Sequence, residues 1–395
     1  MANAPSSIIT KTELIRLPKG IGILAYQDIK GLIAHGYITA SAPINEQQLQ
    51  PASLDLRLGG RAYKVDASFL PGRSRVTTKL ASCAPIDLSG GAILRTRDVY
   101  VIPVMEQFKT PLPTQVRAKA NPKSTVGRLD VFTRLITDYG DQFDYVPNRY
   151  RGELYLEVSP RSFDVLVHEG TPLSQLRFFR GNAVIPDKRL EAIHEEYPLA
   201  CMADGTRAEI RTSEGLWVSV DLRGSGSMDI VGYKAAQVDQ VIDLDQIGRY
   251  DPREFWQIIE RPTKPEVRLE PNAFYILASK ERLRVPSNLA AEMVSFDPSM
   301  GEFRVHYAGF FDPGFGYGAG DIMGTRAVLE VRSHQVPFML EDGQYIARLR
   351  YETMLCRPDK IYGPAAGSSY EHQGLRLGKQ FRSDSMGVRQ PPLFT

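Results

Sequence analysis

The stretch LYLEVSPRSFDVLVHEGTPLSQLRFF at 154–179 has a second version in AVLEVRSHQVPFMLEDGQYIARLRYE at 327–352, aligned without a gap at an offset of 173 residues. Leu156, Glu157 and Val158 recur as Leu329, Glu330 and Val331; Gly170, Leu176 and Arg177 recur as Gly343, Leu349 and Arg350. Working outward, Pro113 in PLPTQV matches Pro286 in VPSNLA at the same offset. Earlier still, Ser53, Asp55, Leu56 and Arg57 of PASLDLRLGG resemble Ser219, Asp221, Leu222 and Arg223 of WVSVDLRGSG. Identities kept in order over most of two halves mean a tandem duplication. The polar, glycine-containing stretch near 198–210 divides it into repeats 1–203 and 204–395.

Within each repeat the pattern is short and strand-like. LYLEV, FDVLV, QLRFF, AFYIL, AVLEV and ARLRY are β-branched or aromatic runs bounded by Gly, Pro, Asp or Asn. The 33 glycines and 27 prolines favour many turns over long helices. Helices are expected at YQDIKGLIAHG, where Ile29, Leu32 and Ile33 share a face, and at PREFWQIIE, 252–260. The fold class is therefore mainly β: two tandem distorted barrels with a few short helices.

Composition removes several function classes. A net charge of +2 gives no global field for coating nucleic acid. No run has the length of a membrane span, and the N-terminus lacks the apolar core of a signal peptide, so a cytoplasmic protein is expected. Cys83, Cys201 and Cys356 are isolated and make no CxxC knuckle; the histidines show no HExxH spacing. His194-Glu195-Glu196 fits H-x-E, yet no P-C-x-x-C follows, so it reads as a solvated helix end and no zinc site is expected. The glycine-rich GFGYGAG at 314–320 precedes a strand and reads as a wide loop.

ANPKSTVGRLDV at 120–131 crowds Lys123, Ser124, Thr125, Gly127 and Arg128 together. Short hydroxyls and backbone N–H groups in a turn suit phosphate oxygens, and Lys and Arg supply counter-charge. The same spacing also serves a solvated turn. Glu157, on the strand face opposite Leu156 and Val158, is a surface group or a positioned acid/base.

At these residues the chain resembles the dCTP deaminase family, relatives of trimeric dUTPases. GILAYQDIKGLIAHGYI (22–38), QPASLDLRLG (50–59), LPTQVRAKANPKSTVGRLDV (112–131), GELYLEV (152–158) and EGTPLSQLRFF (169–179) follow the family's order. The second half has HYAGFFDPGFG (306–316), like the family's His-x-x-Ala-Gly-x-Ile-Asp-Pro-Gly-Phe segment, and YGPAAGSSYEHQGLRLGKQF (362–381), like its closing tail. The resemblance implies two dUTPase-like barrels and zinc-independent deamination of dCTP to dUTP and ammonia, with Mg²⁺ on the triphosphate. A dUTP pyrophosphatase, a bifunctional enzyme and an inactive nucleotide-binding regulatory protein are the alternatives.

By the same resemblance, Lys123, Ser124 and Thr125 hold phosphates, with Ser124 also among the catalytic groups. Arg128 stabilises charge beside the base, and Glu157 moves the protons, with Glu330 as the second candidate. Asp312, Tyr370, Gln373 and Arg376 are expected to contact nucleotide from the second repeat and the tail. A homo-oligomer, as a trimer or a pseudo-hexameric arrangement of barrels, dTTP as inhibitor, and no nucleic-acid or membrane partner complete the expectations. Neither repeat carries the full motif set: SFDPSMGEF (295–303) lacks the arginine, and DYGDQFDYVPNRYRG (138–152) lacks Asp-Pro-Gly-Phe.

Overall fold

Strand Gly152–Pro160 of the first repeat and strand Thr325–Ser333 of the second occupy the same place in matching sheets. In the first, the order is Pro85–Asp87, Arg61–Val65, Val99–Phe108, Gly152–Pro160, Val131–Thr137; in the second, Trp256–Glu260, Ile230–Ala235, Phe274–Leu283, Thr325–Ser333, Phe303–Val305. The facing sheets correspond too: Leu54–Arg57, Pro172–Arg180, Val116–Pro122 and Tyr145–Val146 against Leu216–Ser219, Tyr345–Thr353, Leu289–Val294 and Phe310–Phe311. This is a computed structural model, and it describes residues 17–224, 229–294, 303–305, 309–317, 323–333, 335–363 and 374–382. No helix among them is long and apolar enough to cross a membrane.

Alternating apolar positions drive the sheets inward. Leu154, Leu156 and Val158 enter the first core, while Ala327, Leu329 and Val331 enter the second. The halves are not separate beads. Val241–Asp243 of the second repeat pairs parallel with Asp164–Val167 of the first. Tyr250, Phe255, Trp256 and the tail residue Phe381 make edge-to-face ring contacts over Phe163, closing the first core with second-repeat residues.

Several expectations change. The stretch 252–260 is one helical turn, Pro252–Phe255, capped by Asp251, followed by strand Trp256–Glu260. Pairing with Ile230–Ala235 overrides helical spacing there. Residues 183–203 pack with the second repeat: Ile185, Leu190 and Leu199 lie in its core, and Val184 bridges Glu352. His194 is buried, not solvated. Its Nε2 donates to the Ala208 carbonyl at 3.0 Å and its Nδ1 accepts from Leu199 N–H at 3.1 Å, while burial pushes its pKa down.

The Ser-x-Asp-Leu-Arg match is also out of register. Leu54 pairs with Leu176 and Leu216 with Leu349, so the true counterpart of Leu54 is Leu216 and that of Asp55 is Trp217. Glu106 receives Arg57 N–H at 2.8 Å, and Glu281 receives Ser219 N–H at 2.9 Å. Conversely, Asp-Pro-Gly-Phe survives in the first repeat as backbone alone. Tyr150 N–H reaches the Pro147 carbonyl as Phe315 N–H reaches that of Asp312, and Leu112 and Val285 close the two turns alike.

Arg177, wholly buried, bolts the repeats together. It donates to the Ala291 carbonyl at 2.8 Å and to Asp312 Oδ1 at 3.0 Å, lies 3.7 Å from Glu352, and stacks 4.1 Å from the Phe310 ring centre. Removing one partner of such a pair strands a buried charge, so Arg177→Ala is expected to cost about 3–5 kcal/mol in denaturant unfolding. Arg177→Met with Asp312→Leu should recover most of that loss. A single variant as stable as the parent would show that the pair bears no load.

Candidate functional site

The turn at 123–128 forms because strand Val116–Pro122 ends at a proline and Ser124–Gly127 makes a single helical turn. Lys123 N–H bonds the Leu173 carbonyl at 2.9 Å, which fixes the turn against strand Pro172–Arg180. Arg128 Nε donates to Ser124 Oγ at 3.2 Å, and its guanidinium also donates to the Arg376 carbonyl at 3.0 Å. Thr125 is buried beneath the tail, its carbonyl near Gly378. The Lys123 ammonium pairs with the Asp55 carboxylate, which Gln175 Nε2 also contacts at 3.2 Å.

The tail adds a second cation. Lys379 is half-buried, and its pKa is held down first by burial and then by the Lys123 charge, with Asp245 and Asp55 opposing. Two lysines held within each other's field, beside a turn of hydroxyls and an arginine, describe an anion seat. Asp312, clamped by Arg177, faces it; burial raises its pKa, Arg177 and Lys123 oppose that rise, and Asp55 adds to it.

Arg128 does not serve Glu157, the carboxylate favoured by the sequence. It faces Glu330. Glu330 is 5% exposed, and no group among the described residues hydrogen-bonds its carboxylate. Burial pushes its pKa up to about 8; Arg128 is the charge that opposes this, and Asp130 adds to it. The Arg332 guanidinium, on the same face of the strand as Glu330, pairs with Asp130 and lies 3.2 Å from Ser162 Oγ, so the second-repeat strand is fixed over the first-repeat turn. Asp130 sits at φ 58°, a left-handed conformation that Asp tolerates better than most residues.

Glu157 has different company. Its Oε1 is 2.6 Å from Arg134, whose guanidinium stacks 3.6 Å from the Phe143 ring centre, while Oε2 is buried without a partner. Beside it, burial pushes Asp144 up to about 7, with Glu157 and Glu292 adding to the rise and Arg134 opposing it. Where Asp55 stands in the first repeat, the second has Trp217, between Arg211 and Arg348 at 5.2 and 5.1 Å.

Of the sequence candidates, Lys123, Ser124, Thr125, Arg128, Glu330, Asp312 and the Arg376 backbone converge. Glu157 lies apart with Arg134, and Tyr370 and Gln373 fall outside the described residues. Sequence reasoning missed Asp55, Lys379, Asp130 and Arg332. Asp55 was visible in the repeated motif and Lys379 in the tail, but nothing local tied either to the turn.

Comparison with known proteins gives the family. Residues 20–182 match the N-terminal domain of 2'-deoxycytidine 5'-triphosphate deaminase, and residues 186–381 match its C-terminal domain. The chain belongs to the dCTP deaminase family. A crystal structure of the family from Agrobacterium tumefaciens superposes with a TM-score of 0.81 and 46% identity, covering 86% of this chain and 100% of that one. The dUMP-forming dCTP deaminase of Methanobrevibacter smithii is 28% identical over 199 residues, 48% of this chain and 91% of its own length. That of Halobacterium salinarum is 32% identical over 123 residues, 30% of this chain and 58% of its own.

The Glu330 environment has a thermodynamic signature. A carboxyl whose folded pKa is raised contributes stability that is full below its unfolded value of about 4.3 and lost as pH rises through about 8. Glu330→Gln should therefore gain in Tm over the parent as pH moves from 5 to 8. A margin independent of pH would mean that Glu330 is well solvated.

Proposed function

We propose that this protein deaminates dCTP by a zinc-independent mechanism, at one composite site in which the first repeat supplies the triphosphate seat and the second supplies the acid/base. The observation that carries this reading is the Arg332–Asp130 pair across the repeat boundary, which sets the buried Glu330, two residues before Arg332, in the field of Arg128, two residues before Asp130. Lys123, Ser124, Thr125 and Lys379 hold phosphate oxygens, and Asp312 lines the seat through its clamp on Arg177.

Hydrolysis at C4 of cytosine adds water and expels ammonia, leaving uracil. Glu330, protonated in the free site near neutral pH, donates to the ring nitrogen N3 and makes C4 electrophilic. Its carboxylate then takes a proton from the attacking water and passes it to the amine; as the C4–N bond breaks and ammonia leaves, it takes the C4 hydroxyl proton, which forms the carbonyl and restores the protonated acid. Arg128 stabilises the carboxylate while it is charged, in a site that excludes water. Mg²⁺ accompanies the triphosphate; Asp55 and Asp245 both act on Lys379, and carboxylate oxygens are the donors this ion takes.

A second reading, continuation to dUMP and pyrophosphate, is favoured by the relatives' names and by the Asp55 carboxylate at the phosphate seat. Product analysis after dCTP addition separates dUTP from dUMP with pyrophosphate. The proposal extends to a cytoplasmic location and to dTTP as a competitor for the seat. It also includes a homo-oligomer, in which Arg350 meets a carboxylate as Arg177 meets Asp312; within the chain Arg350 has no ion-pair partner among the described residues.

Glu330→Gln is expected to lower kcat by about 10²–10⁴-fold with dCTP binding retained, and Glu157→Gln to lower it only a few-fold. For the parent, kcat/KM should fall with pH above about 8 as Glu330 loses its proton. Lys379→Ala should weaken dCTP binding by about 1.5–3 kcal/mol, the worth of a charge-assisted contact. A large loss in Glu157→Gln with Glu330→Gln near parental would return the chemistry to the first repeat.

A further inference from the structure

At the far end of strand Gly152–Pro160 from the Asp130 turn, roughly 26 Å away along eight strand residues, the first repeat holds a cavity of about 640 Å³. Arg75, Lys109 and Arg151 line it, with Asp138, Glu153 and Tyr139. Both acids are already engaged by neutral donors: Asp138 Oδ1 accepts Val76 N–H at 2.8 Å, and Glu153 Oε2 accepts the Tyr155 hydroxyl at 2.5 Å. Lys109 and Arg151 have no hydrogen-bond or ion-pair partner among the described residues. Tyr139 is 58% exposed and held at φ 60°, a conformation that costs a bulky residue free energy. Its hydroxyl accepts from Arg75 Nε at 3.3 Å.

The second repeat shows that this is not a by-product of the fold. There the counterpart of Lys109 is Arg284, stacked 4.1 Å from the Tyr317 ring centre, and that of Arg151 is Gly324. The counterpart of Glu153 is Arg326, paired with Asp221 at 2.6 Å. The cation that is stacked internally as Arg284 in the second repeat is left available as Lys109 in the first, where Arg151 adds another. The helical turn Val76–Lys79, inserted after strand Arg61–Val65, walls the first-repeat cavity.

We infer that this cavity is a second ligand site, separate from the composite site, for a nucleoside polyphosphate. Its volume lies within the range of small-molecule pockets, about 300–1,000 Å³. Arg151 and Lys109 receive the phosphates, Arg in a bidentate fork, and the ring of Tyr139 offers a stacking surface tolerant of any base. Such a site reports nucleotide levels to the enzyme without competing for the pyrimidine pocket.

Calorimetric titration with ATP and with inorganic tripolyphosphate tests this on the full chain carrying Glu330→Gln and saturated with dCTP, so that the composite triphosphate seat is already filled. ATP should bind once per chain, and more tightly than tripolyphosphate. Lys109→Ser with Arg151→Ser should weaken both probes tenfold or more, whereas Tyr139→Ala should weaken ATP alone. With Glu330 intact, all these variants should keep parental dCTP turnover in the absence of ATP. Equal affinity for the two probes with no effect of Tyr139→Ala would reject the nucleoside part. Absence of binding at millimolar ATP, or binding unchanged in the Lys109/Arg151 variant, would overturn the site altogether.

Discussion

The buried ion pair between Arg332 and Asp130 is the contact on which the composite site depends. Arg332 lies two residues beyond Glu330 on one strand face, and Asp130 lies two residues beyond Arg128 in the turn. Joining the outer members of these pairs brings the inner members face to face. Two charges taken from water need good geometry to offset their desolvation, and here Ser162 supplies an additional bond to both partners. Arg177 and Asp312 make a second such bolt, on the side of the anion seat. A one-residue slip of strand Thr325–Ser333 against Phe274–Leu283 would turn Glu330 to the opposite face.

Duplication followed by complementary loss explains the remaining architecture. The first repeat kept the seat, with Asp55 and Lys123, and its own glutamate became ion-paired to Arg134. The second keeps Glu330 buried without a hydrogen bond among the described residues, and has Trp217 between two arginines where the first has Asp55. A carboxyl desolvated without a hydrogen bond holds its proton to higher pH, as Glu330 does. The same residue type at equivalent positions therefore carries different chemistry, and only burial and neighbours distinguish them. Exchange of elements between the repeats, through Val241–Asp243 and the Phe381 tail, makes the two halves one folding unit in its core.

Much of this was legible in the sequence. The offset of 173 residues placed strands Gly152–Pro160 and Thr325–Ser333 in register, and the crowding at 123–128 fell on the turn where Lys123 pairs with Asp55. What escaped was whatever depends on contacts between segments far apart in the chain. Trp256–Glu260 satisfies helical spacing as well as strand alternation, and only the edge of Ile230–Ala235 decides between them. The two Asp-Leu-Arg motifs look equivalent, yet hydrogen bonds to Glu106 and Glu281 set a register four residues different. His194 reads as polar and is held by two backbone groups. Which glutamate meets Arg128 is a property of repeat packing, to which neither motif testifies.

The central claim is that one site is assembled from both repeats around Arg128 and Glu330. A crystal structure of Glu330→Gln with dCTP bound tests it most directly. The triphosphate is expected between Lys123 and Lys379, and the C4 amine within hydrogen-bond reach of residue 330. A cytosine ring seated instead against Glu157 and Arg134 would contradict it.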